Sequence, residues 1–164
     1  MKILITGCCG FIGFNFAMMQ LQKNVKIIGI DNLNNYYSIK LKNERLKKLK
    51  IFKNFEFNKK DLTNKSFVRS LFKKHKFDYV FHFAAQAGVR YSIDHPSKYI
   101  DANVNGYFNI IDNCKNFKVK KLFYASSSSV YGDSKKFPLT EKSNLNPKNI
   151  YGLTKKFNEE IAEN

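Results

Sequence analysis

The sequence predicts an α/β fold in which a doubly wound parallel sheet carries helices on both faces. Three observations carry that prediction. Five short apolar runs recur along the chain, helical patterns fill the intervals between them, and the first run ends in a glycine-rich turn. Alternating strand and helix imply right-handed crossovers and therefore parallel neighbours. At 164 residues the chain suits one domain, whose core would bury roughly two-thirds of the unfolded surface.

The first strand covers Lys2 to Ile5 and runs into Thr6-Gly7-Cys8-Cys9-Gly10-Phe11-Ile12-Gly13. A backbone turning tightly there, where side chains would obstruct, starts a helix whose free N–H groups and dipole can face a pyrophosphate. Gly7, Gly10, Phe11, Ile12 and Gly13 are therefore candidate cofactor contacts. The second run, Val25 to Ile30, ends in Asp31, which lies 18 residues after Gly13 and is placed to accept hydrogen bonds from the hydroxyls of an adenosine ribose. A glycine triplet alone is also an ordinary strand-to-helix turn. Strand, triplet, helix, strand and acid in this order argue for a dinucleotide.

Lys40 to Lys53 reads as a helix with Leu41, Leu46 and Leu49 inward and lysines in solvent. The third strand spans Phe55 to Asn58, and Asp61-Leu62 beyond it either contacts an adenine or caps the next helix. The fourth, Tyr79 to Phe83, leads into His82-Phe83-Ala84-Ala85-Gln86-Ala87-Gly88, where Ala84 and Ala85 let the backbone pass close under a flat cofactor. His82, with no partner carboxylate or second ligand in the pattern, reads as a satisfied polar group rather than a catalyst. The fifth strand, Lys120 to Ser126, opens the serine cluster Ser126-Ser127-Ser128-Ser129-Val130-Tyr131-Gly132.

Tyr151 and Lys155 are four residues apart in the last helical pattern. That spacing sets both on one face, where an ammonium stabilises a phenolate whose pKa is about 10 in isolation. Such a phenolate can take a proton from a substrate hydroxyl while the carbon beneath gives up hydride to a nicotinamide. The same spacing also arises by chance in a lysine-rich chain. Here it follows a dinucleotide turn and a serine cluster at a neighbouring strand end.

The formal charge of +16 invites a nucleic-acid reading, yet only Arg45, Arg69 and Arg90 among the 29 basic residues are arginine. Sites for phosphate favour the bidentate arginine fork, so the lysines read as a compositional bias and no nucleic-acid partner is expected. Cys8, Cys9 and Cys114 give neither an even disulfide framework nor a metal-ligand pair; no metal is expected, and a reducing cytoplasm is. The opening apolar run is too short for a signal-peptide core, and no run approaches membrane-spanning length.

Taken together these motifs resemble the extended short-chain dehydrogenase/reductase superfamily in its NAD-dependent nucleotide-sugar epimerase/dehydratase branch. The carriers are Gly7, Gly10 and Gly13, Asp31-Asn32-Leu33, Asp61-Leu62, His82-Phe83-Ala84-Ala85, Asn103-Val104-Asn105-Gly106, the serine cluster, and Tyr151 with Lys155. Within the branch the chain is similar to the UDP-glucuronate 4-epimerases, through Asp31-Asn32-Leu33-Asn34-Asn35-Tyr36-Tyr37, Leu41-Lys42, Arg45-Leu46, Ala85-Gln86-Ala87-Gly88-Val89-Arg90-Tyr91-Ser92 and the segment from Tyr124 to Gly132.

The resemblance implies a Rossmann-like domain holding NAD, with Asn32, Asp61, Leu62, Ala84 and Ala85 lining the cofactor together with the glycine turn, Asp31, Tyr151 and Lys155. It implies inversion at C4 through a 4-keto sugar: Tyr151 takes the hydroxyl proton, Lys155 holds the nicotinamide ribose and tunes Tyr151, and Ser127 hydrogen-bonds the reacting oxygen. Arg90 and Ser128 are the further substrate contacts, and a local salt bridge is the alternative for Arg90. Asn103 is structural. Family dehydratases carry acids where this chain has Ser128 and Ser129, which favours epimerisation. UDP-glucose and UDP-N-acetylhexosamine stay open as substrates, as does a dehydratase. So does a non-catalytic nucleotide- or partner-binding module.

The family pattern continues well beyond Asn164, so the expectation is an incomplete NAD-binding domain over residues 1–164, lacking the last strands and the C-terminal substrate domain. Proximity and orientation supply on the order of 7–11 kcal/mol of catalysis, so the piece alone is expected to be inactive. The full-length relative is expected to be a homodimer joined through helices corresponding to Pro96 to Phe117 and Tyr151 onward.

Overall fold

In the computed structural model, which describes residues 1–135 and 137–164, all five expected strands form. They are β1 (Lys2–Thr6), β2 (Lys26–Asp31), β3 (Phe55–Lys59), β4 (Tyr79–His82) and β5 (Lys121–Tyr124). All pair in parallel, in the order β3-β2-β1-β4-β5. The chain builds outward from β1 through β2 to β3, then crosses back to place β4 on the other side of β1. Strand order therefore reverses between β1 and β4, and a crevice opens beyond their carboxyl ends.

Both faces of the central strands β1 and β2 are buried, as their unbroken apolar runs require, while the edge strands β3 and β5 are half-buried or exposed. Ile3, Ile5 and Ile27 pack with Ala17 and Leu21 of α1 (Phe11–Leu21) and with Leu46 and Leu49 of α2 (Ile39–Lys50). Their neighbours Leu4 and Ile28, with Ile30 and Val80, pack with Val68, Leu71 and Phe72 of α3 (Lys65–His75) and Ile110 of α6 (Gly106–Asn116). The period of two along each strand thus divides one apolar run between two cores.

One expectation for α2 is corrected. Leu46 and Leu49 turn inward, but Leu41 is 40% exposed and Lys42 only 5% exposed. Lys42, Leu46 and Leu49 stand at i, i+4 and i+7, the spacing of one helical stripe, and Leu41 falls one residue off it.

Between β4 and β5 the chain forms α4 (Val89–Asp94), α5 (Pro96–Tyr99), a widened π-helical turn (Ile100–Asn105) and α6. Asn103, buried in the π turn, accepts from the Gln86 amide at 2.7 Å and donates to the Gln86 carbonyl at 3.0 Å and the Thr154 hydroxyl at 3.1 Å. One side chain thereby fastens the segment after β4 to α7 (Ile150–Glu163), in keeping with its expected structural role. No helix among the described residues is long and apolar enough to cross a membrane.

Candidate functional site

The glycine turn is packed backbone to backbone. Gly7 has φ +69°, and a Cβ there would lie 2.7 Å from the Ala84 amide nitrogen; a Cβ on Gly13 would collide with the Gly7 carbonyl oxygen. Hydrogen at Gly7 lets β1's turn rest on the segment after β4, and hydrogen at Gly13 lets α1 start against the turn itself. The Gly7 and Cys8 amides both donate to the Ile30 carbonyl, at 2.8 and 3.3 Å, so the turn is hung from β2 as well. Gly10 precedes α1, and no side chain caps that helix. Its first-turn amides lack the side-chain acceptor that usually satisfies one of them. Phe11 and Ile12, on that first turn, are 73% and 58% exposed.

Asp31 ends β2 with its carboxylate buried. Oδ2 accepts from the Cys9 amide at 3.0 Å and Oδ1 from the Leu33 amide at 2.9 Å, leaving lone pairs on both oxygens. Asn32 donates to Asp61 at 2.8 Å, and the other Asp61 oxygen accepts from the Thr63 amide and hydroxyl. Burial pushes the Asp61 carboxyl up, but the hydrogen bonds from Thr63 and Asn32 outweigh it and hold the pKa below the ordinary value. The cap of α3 is Asn64, which accepts from the Phe67 amide at 3.0 Å. Asp61 is thus no helix cap. Leu62 is buried, its carbonyl taken by Asn109 at 2.8 Å.

Gly7, Gly10, Asp31, Asp61, Ala84 and Ala85 line a cleft of about 180 Å³ at the switch point. Lys42 lines it too, a residue that the sequence reading consigned to solvent. Its ammonium donates to the Asn34 carbonyl at 2.8 Å and Oδ1 at 2.7 Å, and sits 4.5 Å from the centre of the Tyr37 ring. The signal was its place on the stripe with Leu46 and Leu49, outweighed in the reading by the usual solvation of lysine.

The second cluster lies where α7 passes the end of β5. Lys155 is 3% exposed and donates to the Ala125 carbonyl at 2.8 Å; burial pulls its pKa down to about 8. Tyr151, one helical turn earlier, stands edge-on to Tyr99 with ring centres 6.1 Å apart, and its hydroxyl has no hydrogen-bond partner among the described residues. Ser127 caps a short 3₁₀ turn (Ser128–Val130), accepting from the Ser129 amide at 3.2 Å, and its own O–H remains available. Ser126 is bound to the Glu159 carboxylate, while Ser128 is exposed.

His82 lies buried beside these groups. The Thr6 hydroxyl accepts from the Ala84 amide at 3.2 Å and shares a hydrogen bond with His82 Nδ1 at 2.9 Å. Burial, aided by the Lys155 charge, pulls the imidazole pKa to about 3 and keeps the ring neutral.

Arg90, on α4, is exposed and forms no ion pair with a described residue; the local salt bridge considered for it is not there. The Cys8 and Cys9 sulfurs lie 3.9 Å apart, and with an Asp31 oxygen they fall within 4.8 Å of one another. Backbone amides already engage that carboxylate, and burial raises the Cys8 thiol well above its ordinary pKa. Both side chains are fully buried and pack as filling between the turn and the sheet.

Comparison with known proteins adds independent findings. The sequence profile of the family described as GDP-mannose 4,6 dehydratase matches residues 4–164. Protein CapI of Staphylococcus aureus is 44% identical over 163 residues, covering 99% of this chain and 48% of its own. A UDP-glucuronate 4-epimerase of Thermodesulfobacterium geofontis is 40% identical over 154 residues, covering 93% and 47%. Among solved structures, the UDP-glucuronic acid 4-epimerase of Bacillus cereus in complex with UDP-glucuronic acid and NAD superposes with a TM-score of 0.91 at 31% identity, over 99% of this chain and 51% of that one. The UDP-Glc/GlcNAc 4-epimerase of Campylobacter jejuni gives 0.89 at 33%, over 99% and 48%. The chain spans about half the length of the curated relatives it matches.

Proposed function

The chain belongs to the GDP-mannose 4,6 dehydratase family, and on that premise we propose that residues 1–164 are the NAD-binding domain of a UDP-sugar 4-epimerase acting on UDP-glucuronate. The observation that carries the reading is Lys155: a buried ammonium held on the Ala125 carbonyl, where the serine turn begins, one helical turn from a half-buried tyrosine with an unengaged hydroxyl.

The residues present fit NAD. A cradle in which Gly7 and Gly13 admit no Cβ, an uncapped helix start and a buried carboxylate with free lone pairs supply what a pyrophosphate and a ribose need. Asn32, Asp61, Leu62, Ala84 and Ala85 complete the wall. NAD, when bound, supplies reversible uptake of hydride from the sugar C4.

The chain's own residues then handle protons and position. Tyr151 takes the proton of the C4 hydroxyl and returns it after the 4-keto sugar has turned over. Lys155 favours the phenolate electrostatically and holds the nicotinamide-side ribose. Ser127 donates its O–H to the reacting oxygen, Ser128 borders the sugar, and the unpaired Arg90 takes the carboxylate or a phosphate of the sugar nucleotide. No acid lies between Ala125 and Tyr131, and dehydration needs carboxylic groups there, so epimerisation is the better fit despite the family's name.

A second copy of the full-length protein is the proposed occupant of the face where α6 and α7 expose Phe108, Leu153 and Phe157, each 40–50% exposed. Sedimentation at several concentrations tests it.

The central test is calorimetric titration of NAD into the chain, with Asp31→Ala and Gly10→Val abolishing the heat. The chain fused to the C-terminal half of the T. geofontis relative is then expected to interconvert UDP-glucuronate and UDP-galacturonate, and Tyr151→Phe to stop it. A folded, NAD-loaded fusion that leaves UDP-glucuronate untouched would sink the proposal.

A further inference from the structure

In a doubly wound parallel sheet the strands all start, and the helices that cross back over them end, at one end of the molecule, here the end away from the glycine turn and Asp31. That end is basic. The last turns of α2 and α3 carry Lys50 and Lys74, Lys53 and Lys76 follow just beyond, and β2 and β5 open on Lys26 and Lys121. All six are exposed. Two acids nearby are already taken: Glu56 pairs with Lys74 at 3.4 Å, and Asp78 with Lys120 at 2.7 Å.

Cations at helix ends complement the helix dipole, which accounts for Lys50 and Lys74 one by one. It does not account for Ile51. This residue closes α2 between Lys50 and Lys53 and is 78% exposed, more than any other large apolar side chain among the described residues. The Lys50 stem reaches over apolar surface beside it, its ammonium 5.8 Å from the centre of the Phe57 ring. An isoleucine bared to water amid lysines fits a partner that offers anions and hydrocarbon together. An anionic bilayer does: lysines gather at its charged surface while an aliphatic side chain enters the boundary of the acyl chains. Nucleic acid offers the anions alone and favours the arginine fork, and Arg45, Arg69 and Arg90 all stand short of the last turns of their helices.

We propose that the amino end of the sheet docks on an anionic lipid surface, with Lys50 and Lys53 among the headgroups and Ile51 between them entering the hydrocarbon boundary. The contact is peripheral and needs no spanning helix. It leaves the cleft at the carboxyl ends of the strands facing away from the bilayer, so docking and ligand entry do not compete. The proposal is independent of what that cleft binds. The competing account is that the lysines serve only the helix ends and that Ile51 has no partner.

Co-sedimentation of the chain with vesicles of phosphatidylcholine, pure or mixed in equal parts with phosphatidylglycerol, separates the two accounts. Binding is expected to the mixed vesicles alone, and to fall as salt rises. Lys50→Gln combined with Lys53→Gln should weaken it by about tenfold or more, since each lysine near such a surface contributes about fivefold. Lys40→Gln combined with Lys59→Gln removes the same charge at the opposite end and should leave binding within about twofold. Ile51→Ser changes no charge and should weaken binding by about fourfold or more, the effect of one methylene returned to water. Equal weakening by the two lysine pairs, or undiminished binding by Ile51→Ser, overturns the proposal in favour of unspecific adsorption of a cationic surface. Equal binding to pure phosphatidylcholine, or binding to neither vesicle, overturns it as well. Urea midpoints show that each variant is folded, and if the Lys50 and Lys53 pair is not, Ile51→Ser against wild type decides.

Discussion

The Asp31 carboxylate accepts a hydrogen bond from the Cys9 amide at 3.0 Å, fastening the end of β2 to the glycine turn that follows β1. The acid therefore has work to do before any ligand arrives. Asp31→Ala leaves the Cys9 and Leu33 amides without their acceptor, and each buried donor so orphaned costs about 1–3 kcal/mol. Urea unfolding of the cofactor-free chain should show a loss of at least that order, and Asp31→Asn, which keeps one acceptor, a smaller one. Unchanged unfolding of the alanine variant would mean that the turn stands without the carboxylate.

Two glycines of the same turn should behave differently. Alanine at Gly13 drives a Cβ into the Gly7 carbonyl, a backbone atom that cannot move without opening the turn. The expected loss is about 1–3 kcal/mol. At Gly10 the backbone is extended, with φ −70°, and the nearest atom to a Cβ is the Gly7 oxygen at 3.1 Å. Gly10→Ala asks only a few tenths of an ångström of that oxygen, so it should cost clearly less stability than Gly13→Ala while weakening NAD. Calorimetric and urea titrations side by side check the contrast; a Gly10→Ala chain that unfolds early and binds NAD normally would reverse it.

The sheet was legible because β1 and β2, buried on both faces, are apolar almost throughout, and the shorter runs of β3, β4 and β5 recur between helical patterns. The reach of β5 was less so. Its run extends to Ser126, but the pairing stops at Tyr124, opposite His82, because β4 ends there. Lys42 was misread because residue type was weighed above position; whether Asp61 caps α3 stayed open because only the first turn's actual start decides, and that start puts Asn64 at the cap. The serines were beyond sequence altogether. What separates Ser126 from Ser127 is Glu159, 33 residues on, which claims one hydroxyl and leaves the other to the turn.

His82 makes acid stability predictable. The folded ring resists protonation until about pH 3, whereas an unfolded histidine takes a proton near its ordinary 6.5. Its contribution is therefore complete above pH 6.5 and is lost as pH falls from 6.5 toward 3. His75, whose pKa burial also lowers, acts in the same sense in any variant that retains it. His82→Gln should lose less stability than wild type between pH 7 and pH 4.5, read as the change in urea midpoint. Equal losses in the two proteins would show that His82 takes up its proton in the folded chain as readily as in the unfolded one, against the burial of its ring.

Lys155 provides the opposite limb. Its pKa of about 8 in the fold lies below the ordinary 10.5, so between these values the folded chain binds fewer protons than the unfolded one. Stability therefore gains with rising pH across that window. The buried thiols of Cys8 and Cys114, raised by burial, work against it, but they are present in wild type and variant alike. Lys155→Met orphans the Ala125 carbonyl at a cost that does not vary with pH, so the difference between the two proteins isolates the ammonium. Wild type should gain on the variant between pH 7.5 and pH 9.5. Parallel urea midpoints across that range would mean that Lys155 is hydrated in the folded chain, and the role assigned to it beside Tyr151 would lose its physical basis.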